Sequence, residues 1–220
     1  LKQALLLDLG RRDYRDVWDL QRRIHAAVEQ GRSPDTWIAV EHPPVVTLGH
    51  QTRPGNVLLS AEALRERGVD LVEVDRGGDV TYHGPGQLVV YPIIKMERFR
   101  EVVPLVRSLE KAVIDCCARF GVTGERWSEH AGVWVGDRCI CAVGLAVKRM
   151  VSMHGLALNV STVLDYDRLI NPCGFTDRGI TSLSVEAQRD VSMDEAKRAL
   201  FEELSKEFEV TFSLEPAAVA

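Results

Sequence analysis

The chain has 220 residues, 45% of them apolar and 27% charged, with a formal net charge of −5 at pH 7. That length fits one large domain or two small ones, and the composition is that of a globular protein, not a disordered or fibrous one. The acidic balance argues against general nucleic-acid binding, and no apolar run approaches the roughly 20 residues needed to cross a bilayer.

In chain order, Leu1–Asp8 reads as a first strand, too short and too soon acidic for a signal peptide. Tyr14–Gln30 carries Val17, Leu20, Ile24, Ala27 and Val28 at helical spacing, and Gly31 closes it. Thr36–Val40 and Val45–Leu48 are short β-branched runs separated by Glu41-His42-Pro43-Pro44. Val69–Val74 and Leu88–Ile94 are two further strands, on either side of a glycine-rich stretch. Val102–Phe120 is a second amphipathic helix, with Pro104 in its first turn and Gly121 beyond its end. Gly132–Val135, Ile140–Val147 and Gly155–Val160 read as strands, the first two joined at Gly136-Asp137. Ser192 and Glu195 form a capping box that opens a third helix running through Phe208, and Val210–Phe212 ends the pattern.

Strands arrive in runs and helices are few. The class is therefore α+β, with a mostly antiparallel sheet flanked by helices and residues 1–220 in a single domain. Lys95, Arg98, Arg100 and Arg107 form a basic cluster, either a solvated surface of mixed charge or a face for an acidic protein partner. Five cysteines, with Cys116 and Cys117 adjacent, make a poor disulfide framework, and Cys139-Ile140-Cys141 lacks zinc spacing. Free thiols in a reducing cytoplasm, with no structural metal, are expected. The pair Cys116 and Cys117 falls on the apolar face of its helix and reads as core.

Arg76-Gly77-Gly78-Asp79-Val80-Thr81-Tyr82-His83-Gly84-Pro85-Gly86 is the most informative stretch. A chain reversal needs one or two glycines, whereas this stretch has four, together with Arg76 and His83. Glycines permit positive φ and close approach of a ligand to bare backbone. The fork of Arg76 suits a carboxylate or phosphate. Asn171-Pro172-Cys173-Gly174 is the second. A thiol between proline and glycine is placed for presentation, with the Gly174 amide available to a developing oxyanion; the plainer alternative is a buried turn cysteine. His83 and His154 are the histidines whose glycine neighbours favour a pocket. His42 and His50 read as loop residues, and His25 and His130 have no supporting neighbours.

These residues resemble the octanoyltransferases of lipoate biosynthesis, in the fold family of biotin and lipoate protein ligases. The matching stretches are Glu41–Gly49, Arg76–Leu88, Ala142-Val143-Gly144, His154–Asn159, Asn171–Gly174 and Thr181-Ser182-Leu183. The resemblance covers nearly the whole chain. It implies transfer of an octanoyl group from acyl carrier protein to a lysine of lipoyl domains, in 2-oxoacid dehydrogenase complexes and in the glycine cleavage H protein. The acyl group would rest on Cys173 as a thioester, with no cofactor. The implied acyl pocket is lined by Arg76, Gly77, Gly78, Asp79, Val80, Thr81, Tyr82, His83, Ala142, Val143 and Gly144, and by His154, Gly155, Leu156 and Ala157. At the start of the strand that reaches Ala142-Val143-Gly144 the family carries a lysine, thought to favour the thiolate. Here that position is Cys139. An unassisted thiol of pKa ~8.5 is only a few per cent ionised at neutral pH. Lys148 and His83 are the candidate replacements. The rival readings are an ATP-dependent lipoate ligase, which has no use for Cys173, a non-catalytic acyl or lipoyl-domain binding protein, and a cysteine thioesterase.

Overall fold

A computed structural model describes residues 1–53, 55–128, 130–165, 169–171 and 179–215. The strands and helices run β1 (Lys2–Arg11), α1 (Tyr14–Glu29), β2 (Thr36–Glu41), β3 (Val45–Leu48), α2 (Ala61–Glu66), β4 (Asp70–Glu73), β5 (Val80–His83) and β6 (Gln87–Ile93). A short 3-10 turn, Phe99–Glu101, leads into α3 (Val102–Ala118). Then come β7 (Glu125–Arg126), β8 (Gly132–Val135), β9 (Arg138–Lys148), β10 (Val151–Asn159), β11 (Gly179–Ile180), α4 (Leu183–Glu186), α5 (Met193–Glu207) and β12 (Val210–Glu215).

Nine strands form the main sheet in the order β12-β1-β2-β6-β10-β9-β8-β7, with β11 paired to β9. Its centre is antiparallel, but β1 runs parallel to both β2 and β12, so the sheet is mixed. The strands alternate between two cores. Trp37 and Ala39 of β2, Leu88 and Val90 of β6, and Leu156 and Leu158 of β10 pack with α3 and α5. Ile38 and Val40, Val89 and Tyr91, and Ala157 face the opposite way, onto Val17, Leu20 and Val28 of α1. Burial on both faces explains why these strands read as continuous apolar runs.

The expected helices are present. Asp13 caps α1 by accepting from the Arg15 and Asp16 amides, and the Ser192–Glu195 capping box closes at the start of α5. Cys116, Cys117 and Cys141 are buried together in the core under α3, where burial raises each thiol's pKa, that of Cys117 to about 12. Cys116, Cys117 and Cys141 are free thiols.

A second sheet, in the order β4-β3-β5, was not anticipated. Val46 and Val80 point to Leu64 of α2 and to Ile170, while Val45 and Val72 point to Tyr14 at the start of α1. The glycine-rich stretch is therefore not all loop, because its middle, Val80–His83, is β5, paired antiparallel with β3.

Candidate active site

The Arg76–Gly78 turn is sewn between two backbones. The Gly77 amide donates to the Leu145 carbonyl of β9 at 3.0 Å, while the His50 and Gln51 amides donate to the carbonyls of Arg76 and Gly78, both at 3.1 Å. Close approach sets the residue types. Gly78 has φ +85°, and a Cβ on Gly49 would meet the Gly78 carbonyl oxygen at 2.4 Å and an Arg76 guanidinium nitrogen at 2.7 Å. Asp79 organises the far side of the turn. Its carboxylate accepts from the Val80 amide at 2.7 Å and from the Asn56 side chain at 2.6 Å, and the Asn56 carbonyl accepts from the Asn171 amide at 2.8 Å.

Beside this turn, the strand pair β9–β10 and the start of α3 enclose a cavity of about 770 Å³. Of the residues singled out in the sequence, Arg76 to Thr81, His83, Ala142 to Gly144 and His154 to Ala157 line it. Tyr82 does not. It alternates to the other side of β5, packs against the Val46–Leu64 cluster, and folds its ring over Gly84, where a Cβ would lie 2.3 Å from the hydroxyl. Cys139 also lies outside the lining. It is buried at the start of β9, paired with Ile180, and its carbonyl accepts from the Thr181 amide at 2.9 Å. Cys173 and Gly174 lie outside the described residues.

Arg76 lines the cavity but spends its fork on the protein. It donates to the Thr47 carbonyl at 3.0 Å, the Thr47 hydroxyl at 2.9 Å and the Gly77 carbonyl at 3.0 Å. Its observed bonds brace β3 against the glycine turn.

The wall has two characters. Val89, Val102, Val106, Val143, Leu145 and Leu156 are apolar. Alongside them is a buried polar cluster of Tyr14, Tyr91, His83 and His154, backed by His42. Tyr14 stacks on His83 with ring centroids 5.7 Å apart. His42, read in the sequence as a loop residue, is buried and bonded on both nitrogens, to the Arg12 carbonyl at 2.8 Å and the Tyr91 hydroxyl at 2.9 Å. Burial lowers the pKa of His42 to about 4. It lowers that of His83 to about 3, with His42 adding to the effect, so both rings are neutral at pH 7.

His154 is the strained member. It has φ +59°, left-handed for a residue with a side chain, and it is held there by its amide bond to the Gln21 side chain at 2.8 Å. Its Nε2 meets Asp75 at 2.8 Å, which leaves a buried Nδ1 with no hydrogen-bond partner among the described residues. Burial pulls the His154 pKa down, against the pull of Asp75. The hydrogen bond from His154, with help from Lys148, holds the Asp75 carboxyl well below the usual carboxylate range.

Lys148 does not stand beside Cys139. β9 is continuous from Arg138 to Lys148, which separates Lys148 from Cys139 by roughly 30 Å at 3.3 Å per residue. Lys148 pairs instead with Asp75 at 2.5 Å. His83 is a weak, buried base whose Nδ1 is bonded to Gln87 at 2.8 Å. Arg138 faces away from Cys139, as strand alternation requires, and pairs with Glu186 at 2.9 Å.

Tyr14, Tyr91, Gln51, Arg53, Val102 and Val106 line the cavity without having been singled out in the sequence. Among the described residues no group of His, Cys, Asp and Glu is arranged to hold a metal ion, and no helix is long and apolar enough to cross a membrane.

The chain is 44% identical over 214 residues to an octanoyltransferase of Chloroflexus aggregans, a match covering 96% of this chain and 97% of that one. In fold it is similar to a bi-partite lipoate protein ligase from Thermoplasma acidophilum, with a TM-score of 0.78 and 17% identity over 98% of this chain and 88% of that one. It is more distantly similar to a biotin protein ligase from Aquifex aeolicus, with a TM-score of 0.55 and 11% identity over 95% and 70% of the two chains. At such identities the solved structures speak for the fold, which is that of the lipoate and biotin protein ligases. The model of the lipoyl protein ligase A/B catalytic domain matches residues 13–205, and the chain belongs to that family.

Proposed function

We propose that this protein is an octanoyltransferase that moves an octanoyl group from acyl carrier protein to a lysine of lipoyl domains, through a thioester on Cys173, in the cytoplasm. The acceptors are the lipoyl domains of 2-oxoacid dehydrogenase complexes and the glycine cleavage H protein. The observation that carries this reading is the end-to-end similarity to octanoyltransferases at 44% identity. It is joined by a cavity whose apolar wall suits an acyl chain. Burial of that chain at about 0.8 kcal/mol per methylene supplies several kcal/mol of binding.

The steps balance without a nucleotide. The Cys173 thiolate attacks the carrier thioester, a new thioester forms, and the carrier thiol leaves with a proton. The neutral amine of the target lysine then attacks that thioester. An amide forms and Cys173 recovers its thiol. Cys139 brings no ammonium group of the kind that would favour the thiolate.

The ligase reading rests on fold neighbours at 17% identity or less to the two described above, while the close sequence match is to a transferase. The test is intact mass and peptide mapping after mixing with octanoyl carrier protein, for the natural chain and for Cys139→Lys. An octanoyl adduct on Cys173 in either supports the reading. Absence of an adduct in both, together with ATP-dependent ligation that survives Cys173→Ala, overturns it.

A further inference from the structure

The start of α3 carries the cavity's apolar wall out to the surface. Val102 and Val106, one helical turn apart, line the cavity, whereas Phe99 and Val103, also one turn apart on the adjoining stripe, are 69% and 66% exposed. A large exposed aromatic next to an exposed valine at a cavity's rim has no structural role, because nothing among the described residues packs over it.

The charge around it is selective. Arg98 and Arg100 flank Phe99, are exposed, and form no ion pair among the described residues. Arg53, also exposed, stands at the cavity wall. Of the neighbouring acids, Glu101 is turned back to accept from the Glu97 amide at 3.0 Å, and Glu97 is exposed. Lys95 and Arg107 are engaged elsewhere, Lys95 with the Glu29 carbonyl and Arg107 with Glu110. From Lys95 to Glu101 three cations stand against two carboxylates, so in a chain of net charge −5 this stretch keeps a slight positive excess, with Arg98 and Arg100 on either side of an apolar centre. This is the layout of a docking site, a buried anchor within a charged rim.

We infer that the Arg98–Val103 face docks an acidic protein surface, that of the carrier which presents the acyl thioester to the cavity. The donor fits better than the acceptor because the face is continuous with the wall along which the apolar chain must slide. The inference rests on the transferase reading, and it adds the place of docking to that reading.

The test compares donors. Octanoyl carrier protein and octanoyl-pantetheine, a carrier-free thioester, are each assayed with a lipoyl domain as acceptor, for the natural chain, for Arg98→Glu/Arg100→Glu and for Phe99→Ser. All three side chains are exposed, and thermal melting checks that the fold is kept. The expected result is a KM for the carrier-borne donor raised on the order of tenfold in the variants, with kcat/KM for octanoyl-pantetheine unchanged. The natural chain's KM for the carrier should rise with salt, and that of the charge-reversed variant should not. Unchanged KM for the carrier in both variants overturns the inference, as does a raised KM for the lipoyl domain alone. Failure of the natural chain to transfer from either donor strikes at the transferase reading itself.

Discussion

Gly144 on β9 stands directly opposite Gly155 on β10, and the two lack side chains for different reasons. A Cβ on Gly155 would lie 2.0 Å from the Val90 carbonyl oxygen and 2.6 Å from a Pro92 carbon, both held by the sheet. A Cβ on Gly144 would lie 3.4 Å from the Arg76 side chain and from the Gly77 carbonyl oxygen, against the glycine turn. Gly155→Ala should therefore destabilise the fold by on the order of 3 kcal/mol, because backbone must move. Gly144→Ala should cost under about 1.5 kcal/mol, because only tight contact is made. Urea denaturation of the two variants beside the natural chain checks the contrast.

Ala142 and Ala157 are also direct partners across β9 and β10, and both line the cavity. Ala142→Leu should shorten the acyl chain that fits. Each methylene kept out forfeits about 0.8 kcal/mol, or about fourfold in kcat/KM. The variant should turn over hexanoyl and butanoyl donors in preference to octanoyl. An unchanged chain-length profile would place the acyl chain elsewhere.

The buried histidines make the fold acid-sensitive. His83 and His42 have folded pKa values of about 3 and about 4 against an ordinary 6.5. Between those values the unfolded chain binds protons that the folded chain does not, so stability is whole above 6.5 and falls as pH drops. The slope is about 1.4 kcal/mol per pH unit for each histidine that remains neutral. Denaturation midpoints measured from neutrality down to about pH 4 should fall steadily, and His42→Gln should flatten part of that slope.

Glu110 is fully buried on α3, where its carboxylate pairs with Arg107 at 2.8 Å and Arg126 at 3.2 Å and accepts from the Gly132 amide at 2.9 Å. It ties β7 and the start of β8 to the helix, next to the cavity residues His130 and Ala131. Glu110→Ala should cost about 3 kcal/mol, since it leaves a buried amide unsatisfied and two arginines unpaired. Hydrogen exchange should show the loosening at Gly132 before it shows it in the core.

The absent ammonium group predicts the shape of the pH–rate profile. Thioester formation in the natural chain should rise with pH as the thiolate fraction of Cys173 grows. Cys139→Lys should raise the rate at neutral pH and move that limb downwards. Pre-steady-state release of the carrier thiol measures both.

What the sequence disclosed follows from what each signal depends on. Val17, Leu20 and Val28 marked α1, and Ser192 with Glu195 marked α5, because caps and periodicity are local. β5 was hidden because its four residues sit among glycines, and α2 because six residues hold too few turns to show a stripe. The parallel pairing of β1 was invisible because no local feature names a distant partner. The cavity residues in the glycine stretch and in β9 and β10 stood out by composition. Tyr91 looked like any apolar strand residue, Tyr14 like the first residue of a helix, and His42 like part of a proline loop. Their meeting is a product of the two sheets. Arg76 was conspicuous, but the direction of its fork depends on Thr47, which only the β3 register supplies.

β1 lies between β2 and β12, with Lys2 opposite Val210 and Leu7 opposite Glu215. The main sheet thus takes one of its first-made strands and shields it with one of its last. During synthesis β1 can join β2 early, through the short α1 crossover, but its other edge stays open until residues 210–215 have emerged. Closing so long a loop is slow, and an open edge recruits other chains in the meantime. Overproduction should therefore favour aggregation of nascent chains, and a copy stopped before Val210 should be insoluble even though every cavity-lining residue is present.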